Sequence, residues 1–117
     1  MGQLTTHVID TMHGVPAAGM ALTLYRLSGD LADALKSLQL NADGRADTPL
    51  LEGAALHAGR YRLVFDVAAY FRQRGAVLSD PPFLDRVTLD FGVADAAAHT
   101  HVPLLASPWS YSTYRGS

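Results

Sequence analysis

The feature that most constrains this chain is a period-two alternation of side chains that recurs in short runs between turn formers. It is sharpest at residues 59–65, where Tyr61, Leu63 and Phe65 fall on one side and Arg60 and Arg62 on the other. Successive side chains of a strand point to opposite faces, so such a run forms a half-buried strand. The same rhythm marks 5–11, 20–27 (Met20, Leu22 and Leu24 on one side), 86–91 (Val87, Leu89 and Phe91 inward), 100–106 and 109–114. Turn material separates these runs: residues 12–19, Ser28-Gly29-Asp30, Asn41-Ala42-Asp43-Gly44, Asp80-Pro81-Pro82 and Ser107-Pro108. One helix is expected at 67–74, capped by Asp66 and stopped at Gly75. Residues 31–40 fit two periods. Leu31, Leu35 and Leu38 stand at helical spacing, Leu38-Gln39-Leu40 alternates as a strand would, and local pattern does not choose. Many short strands with one short helix point to an all-β chain, an antiparallel β-sandwich of two sheets.

Composition narrows the function. At 117 residues, one domain spanning 1–117 is expected. Nine basic against eleven acidic residues give a formal net charge of −2, with no basic stripe to neutralise phosphates, so no nucleic-acid partner is expected. The absence of cysteine excludes disulfides, thiolate metal sites and a cysteine nucleophile. No apolar run approaches the roughly 20 residues of a membrane span, so no membrane partner is expected. The N-terminus carries neither a charged n-region nor an apolar h-region, and the expected location is the cytoplasm. Only 17% of residues are charged, against 49% apolar. So small a body exposes most of its surface, and a shortage of charge there suggests a face covered by a partner subunit.

Parity sharpens that suggestion. Thr6 and Val8 share one face of the first strand, and Thr5, His7 and Ile9 the other; Val102 and Leu104 oppose His99, His101, Pro103 and Leu105. In the last run, Trp109, Tyr111 and Thr113 oppose Ser110, Ser112 and Tyr114. A sandwich strand with one wet face alternates apolar with charged residues, yet these strands carry almost no Lys, Asp or Glu on either face. If the three strands are neighbours, their second face mixes Ile9, Pro103 and Leu105 with His7, His101, Ser112 and Tyr114. Apolar walls with a few converging polar groups describe a ligand site, here where two subunits would meet.

Three stretches carry a family likeness. Leu4-Thr5-Thr6-His7-Val8-Ile9-Asp10, Asp43-Gly44-Arg45, and the ending His99-Thr100-His101-Val102-Pro103-Leu104-Leu105 with Ser107-Pro108 and Tyr111-Ser112-Thr113-Tyr114-Arg115-Gly116-Ser117 resemble the 5-hydroxyisourate hydrolases of the transthyretin-related family. The Tyr-Arg-Gly-Ser terminus separates those enzymes from the hormone-carrying transthyretins. The resemblance implies a transthyretin-like sandwich in which 31–40 is a strand. It also implies a homotetramer with sites at a subunit interface, and hydrolytic opening of a purine-derived substrate, 5-hydroxyisourate, during urate degradation. No metal or organic cofactor is expected. Residue by residue, it marks His7, Arg45 and His101 as catalytic, and Tyr114, Arg115, Gly116 and Ser117 as substrate-binding; Ser112, from the mixed face, is added to the expected substrate-binding set. Thr100 departs from the pattern, since an aromatic usually stands between the two histidines. Its parity is opposite to that of His101, so a packing change is expected there.

Those residue types suit the chemistry. Opening a cyclic acyl–nitrogen bond needs an activated water, stabilisation of an oxyanion and a proton for the leaving nitrogen. Histidine, with an ordinary pKa of about 6.5, suits the first and third tasks. Arginine, a fixed charge with planar donors, suits an anionic, oxygen-rich heterocycle. Which histidine is the base stays open. A lone strand histidine is more often a packing residue, an arginine after an Asp-Gly turn is usually solvated, and His99 with His101 could form half a zinc site that needs a third ligand. Ser112 or Ser117 as nucleophile lacks a Gly-x-Ser-x-Gly elbow. His13 and His57 lie in loop contexts with no assigned role. Two other functions compete: a carrier of small aromatic ligands in the same channel, which has no use for acid–base groups there, and a structural sandwich, which predicts charged residues on the closing strands.

Overall fold

The computed structural model describes residues 2–116. Nine strands run β1 Gln3–Asp10, β2 Val15–Pro16, β3 Ala21–Ser28, β4 Leu31–Gln39, β5 Leu51–Glu52, β6 Gly59–Phe65, β7 Val87–Val93, β8 Thr100–Ala106 and β9 Tyr111–Thr113, with one helix, α1, at Val67–Gln73. They form two sheets, one ordered β2-β1-β8-β9 with β5 also on β1, the other ordered β4-β3-β6-β7.

The inward faces are those the alternation marks. Leu4 and Val8, Leu22 and Leu24, Tyr61, Leu63 and Phe65, Val87 and Leu89, and Val102 and Leu104 are all buried between the sheets. Each such side chain contributes about 1.5–3 kcal/mol by leaving water. Val67, Tyr70 and Phe71 of α1 join the same core. Gly75, in the left-handed region at φ +86, ends the helix. Its N–H and that of Ala76 donate to the carbonyls of Arg72 and Phe71, the paired bonds of a Schellman ending.

The Asp66 cap and the extent of the last strand need correction, and the antiparallel-dominated sandwich holds with one parallel pair. β1 and β8 run parallel, Leu4 opposite Thr100 through Asp10 opposite Ala106, in sheets that are otherwise antiparallel. Parity is identical for both directions, so alternation cannot sense this. Asp66 precedes α1 but makes no side-chain cap bond; its carboxylate accepts from Nε of Arg86 at 2.9 Å instead. The last strand is shorter than 109–114, because Oγ of Ser107 accepts the N–H groups of Trp109 and Ser110 and holds both in the turn. The strand that the resemblance implies for 31–40 is β4, Leu31–Gln39, nearly all of it exposed, so its leucines follow no inward period.

Candidate active site

β1 is flanked on both edges, and this brings distant residues together. Along one edge lies β8, with Thr5 opposite His101 and His7 opposite Pro103. Along the other lie β2, β5 and, between them, the turn that delivers Arg45 into an isolated antiparallel bridge with His7. That turn is built by Asn41, whose carbonyl accepts from Gly44 N–H and whose Oδ1 accepts from the N–H groups of Asp43 and Arg45. Gly44 has φ +72, its carbonyl accepts from Val8 N–H, and a Cβ on it would stand 2.6 Å from the Val8 oxygen. Only glycine fits this close approach.

β9 runs antiparallel to β8, Ser112 opposite Leu105 and Thr113 opposite Leu104. Oγ1 of Thr113 donates to the Pro103 carbonyl at 2.7 Å. The chain departs at Tyr114 and Arg115, then returns to β8 where Gly116 N–H donates to the His101 carbonyl at 2.8 Å. A Cβ at Gly116 would lie 2.6 Å from Cδ2 of His101. The end of the described chain is thus packed on the imidazole face.

The three neighbouring strands assemble the mixed face that parity describes. A cleft of about 400 Å³ is lined by Thr5, Arg45, His99, His101, Tyr114 and Gly116. His7 stands beside it, bridged to Arg45 and half-buried. Two candidates fall elsewhere. Ser112 is exposed opposite Leu105, off the lining of this cleft. Arg115 lines an adjoining groove of about 440 Å³ between β7 and β8, shared with Phe91 and Val102 and with His101 and Tyr114, which line both spaces. Ser117 lies outside the described residues. Thr100 is buried on the inner face, opposite to His101, in keeping with a packing role.

Burial lowers the pKa of both His7 and His101, and the Arg45 guanidinium lowers each further. For His7 the Asp43 carbonyl and carboxylate pull the other way without cancelling the shift. For His101 the neighbouring His7 and His99 add to it. Neutral imidazoles with free lone pairs beside a permanent cation can accept a proton from water while the cation attracts an anionic group. Among the described residues no three His, Asp or Glu side chains gather as a metal-binding group.

Two networks escaped the sequence reading. Oγ1 of Thr5 lies 2.9 Å from Nε2 of His99 and 2.8 Å from Nδ1 of His101. At the far end of β1, the buried Asp10 carboxylate accepts from His13 N–H at 2.9 Å, meets His13 Nδ1 at 2.6 Å and accepts from the Tyr70 hydroxyl at 2.9 Å. His13 therefore has a structural partner. The signal for each was present only as shared parity or short spacing.

The two-sheet sandwich is a transthyretin-like fold, and the chain belongs to the HIUase/Transthyretin family, which matches residues 4–116. Its relatives include the 5-hydroxyisourate hydrolase of Ralstonia nicotianae, 59% identical with both chains covered in full. The solved Klebsiella pneumoniae 5-hydroxyisourate hydrolase is similar over 100% of both chains, with a TM-score of 0.81 and 36% identity. The crystal structure of an (S)-allantoin synthase has a TM-score of 0.94 and 44% identity, covering 99% of this chain; this chain spans only 44% of that one.

Proposed function

We propose that this protein is an enzyme, a 5-hydroxyisourate hydrolase acting in urate degradation, with residues 1–117 working as one hydrolase domain. One observation carries the site's part in this reading: two imidazoles with lowered pKa share a single arginine beside a cleft that can hold a small heterocycle. Full-length relatedness to hydrolases supports the substrate.

In the proposed reaction Arg45 binds the anionic purine-like ring and steadies the negative charge that develops on the attacked carbonyl oxygen. His7 and His101 position the water. One of them takes its proton as the oxygen–carbon bond forms, and the acyl carbon–nitrogen bond then breaks as the leaving nitrogen receives a proton. The ring-opened product carries a carboxylate. Tyr114 and Gly116 shape the cleft wall, while Arg115, Ser112 and the terminal Ser117 are assigned to substrate binding as the cleft closes. No metal or organic cofactor enters this scheme.

Closure comes from assembly as a homotetramer with the sites at a subunit interface. Met12 at 44%, Val15 at 38%, Trp109 at 60% and Tyr111 at 45% exposure support it, an apolar set around the ends of β1, β8 and β9. The carrier reading shares the fold but gives the histidines no work. Generating 5-hydroxyisourate with urate oxidase and following its ultraviolet decay separates the two. Decay accelerated by the protein, and lost in His7→Ala and Arg45→Ala, supports the hydrolase. Decay at the spontaneous rate supports carriage.

A further inference from the structure

Thr5 joins two histidines, only one of which the proposed reaction uses. Its Oγ1 is 2.8 Å from Nδ1 of His101 and 2.9 Å from Nε2 of His99, and the two ring centroids are 6.4 Å apart. The parallel register of β1 and β8 sets this arrangement. Thr5 sits directly opposite His101, and His99, two residues earlier, belongs to the same face. His101 is half-buried at the cleft, whereas His99 is exposed.

A hydroxyl carries one hydrogen and two lone pairs. It can donate to only one of the facing ring nitrogens, so the other must carry a hydrogen of its own for both bonds to exist. Two neutral arrangements meet that condition. In one, His101 Nδ1–H donates to Thr5 Oγ1 and the Thr5 hydroxyl donates to His99 Nε2, which leaves His101 Nε2 with a free lone pair. In the other every hydrogen in the chain is reversed, and His101 Nε2 is protonated. The tautomer that can act as a base is therefore tied to the state of His99.

We propose that Thr5 and His99 are positioning residues for the hydrolysis, with the Thr5 hydroxyl relaying a proton between His101 at the cleft and His99 at the solvent. This rests on the reading of His101 as an acid–base group. When His101 Nε2 takes a proton, the ring becomes an imidazolium. Its Nδ1 proton passes to Thr5 Oγ1 as the Thr5 hydroxyl proton passes to His99 Nε2. His101 is then neutral with Nε2–H, His99 carries the charge, and the threonine is unchanged. The base-competent tautomer returns when His101 Nε2 gives its proton to the leaving nitrogen while the relay runs in reverse, the His99 Nε2 proton passing to Thr5 Oγ1 as the Thr5 hydroxyl proton passes to His101 Nδ1. The other titratable or charged groups facing the cleft are His7 from β1, Arg45 from the 41–45 turn and Tyr114 beyond β9. Burial and the Arg45 cation both disfavour charge on His101 and so drive the transfer outward.

The test combines ring-nitrogen NMR with kinetics on the full chain. The 15N shifts of His99 and His101 are followed across a pH titration in the wild type, Thr5→Val and Thr5→Ser. Coupled titrations in the wild type and Thr5→Ser, with both rings changing tautomer populations in Thr5→Val, are expected. Turnover is expected to fall about tenfold in kcat in Thr5→Val and to recover in Thr5→Ser. KM should shift by no more than about twofold, because the Thr5 hydroxyl is engaged by the two histidines and acts on the base, not on the binding of substrate. Ring tautomers and titrations in Thr5→Val that match the wild type would overturn the proposal, as would a loss of kcat that serine does not restore. Full turnover in His101→Ala would instead overturn the acid–base reading beneath it, and the ring coupling would then be judged by the NMR alone.

Discussion

Arg45 acts on two histidines at once. Its guanidinium adds to burial in lowering the pKa of both His7 and His101, so both imidazoles stay neutral and able to accept a proton below their ordinary value of about 6.5. The acid limb of the kcat/KM profile should accordingly lie below that value. Arg45→Ala should raise both histidine pKa values in an NMR titration while lowering kcat/KM by about 10²–10³-fold, the usual cost of losing one oxyanion donor. Unmoved histidine titrations would show that the cation is not the cause. At Gly116 the constraint is steric. A methyl group 2.6 Å from Cδ2 of His101 must displace the ring, and Gly116→Ala should cut kcat/KM by about tenfold or more, since an error near 1 Å at a catalytic group costs up to about 10²-fold. A Gly116→Ala enzyme at wild-type rate would mean that the His101 ring position does not matter.

At the scale of elements, β1 is the organising strand, and its end is tied to α1 through Asp10 and Tyr70. Burial first, and the hydrogen-bonded Asp10 carboxylate with it, push the Tyr70 pKa up to about 12. A raised folded-state pKa means that this stabilisation is complete below about 10, the unfolded value, and is lost as pH rises from 10 toward 12. For Asp10, burial acts upward, but the His13 N–H, the His13 ring and the Tyr70 hydroxyl together outweigh it and hold the pKa below 3.8. That contribution is present above 3.8 and disappears as pH falls through the lower folded value. Tyr70→Phe should cost about 1.5–3 kcal/mol in urea unfolding at neutral pH, since it removes a bond to a charged acceptor, and should flatten the alkaline loss of stability. An alkaline profile unchanged in Tyr70→Phe would assign that loss to another group.

Elements also define what the sequence could reveal. Alternation identified the buried faces of β3, β6, β7 and β8 because each has one face in the core. It could not settle β4, where Leu31 is 67% and Leu35 43% exposed and no inward face orders the pattern. The parallel pairing of β1 with β8, the link from Thr5 to both histidines and the burial of Asp10 under Tyr70 of α1 all join segments about 95 or 60 residues apart in the chain. Spacing carries no trace of them. The outer mixed face was legible because parity and the scarcity of charge pointed to it together, whereas the split of Arg115 and Ser112 away from the cleft required the irregular path after β9.

At the scale of the whole molecule, the low charge content and the exposed Met12, Val15, Trp109 and Tyr111 predict assembly. Light scattering should return the mass of four copies, and Trp109→Glu should reduce it by placing a charge in an apolar interface. A wild-type monomer at micromolar concentration would contradict the proposed tetramer and require the cleft to work uncovered. No described helix is long and apolar enough to cross a membrane. The most direct measurement remains the decay of freshly generated 5-hydroxyisourate with and without the protein. Hydrolysis by this cleft predicts decay well above the spontaneous rate, with His7→Ala and Arg45→Ala each slower by about 10²-fold or more while still folded. Decay at the spontaneous rate from folded protein, or full activity in both variants, would contradict it.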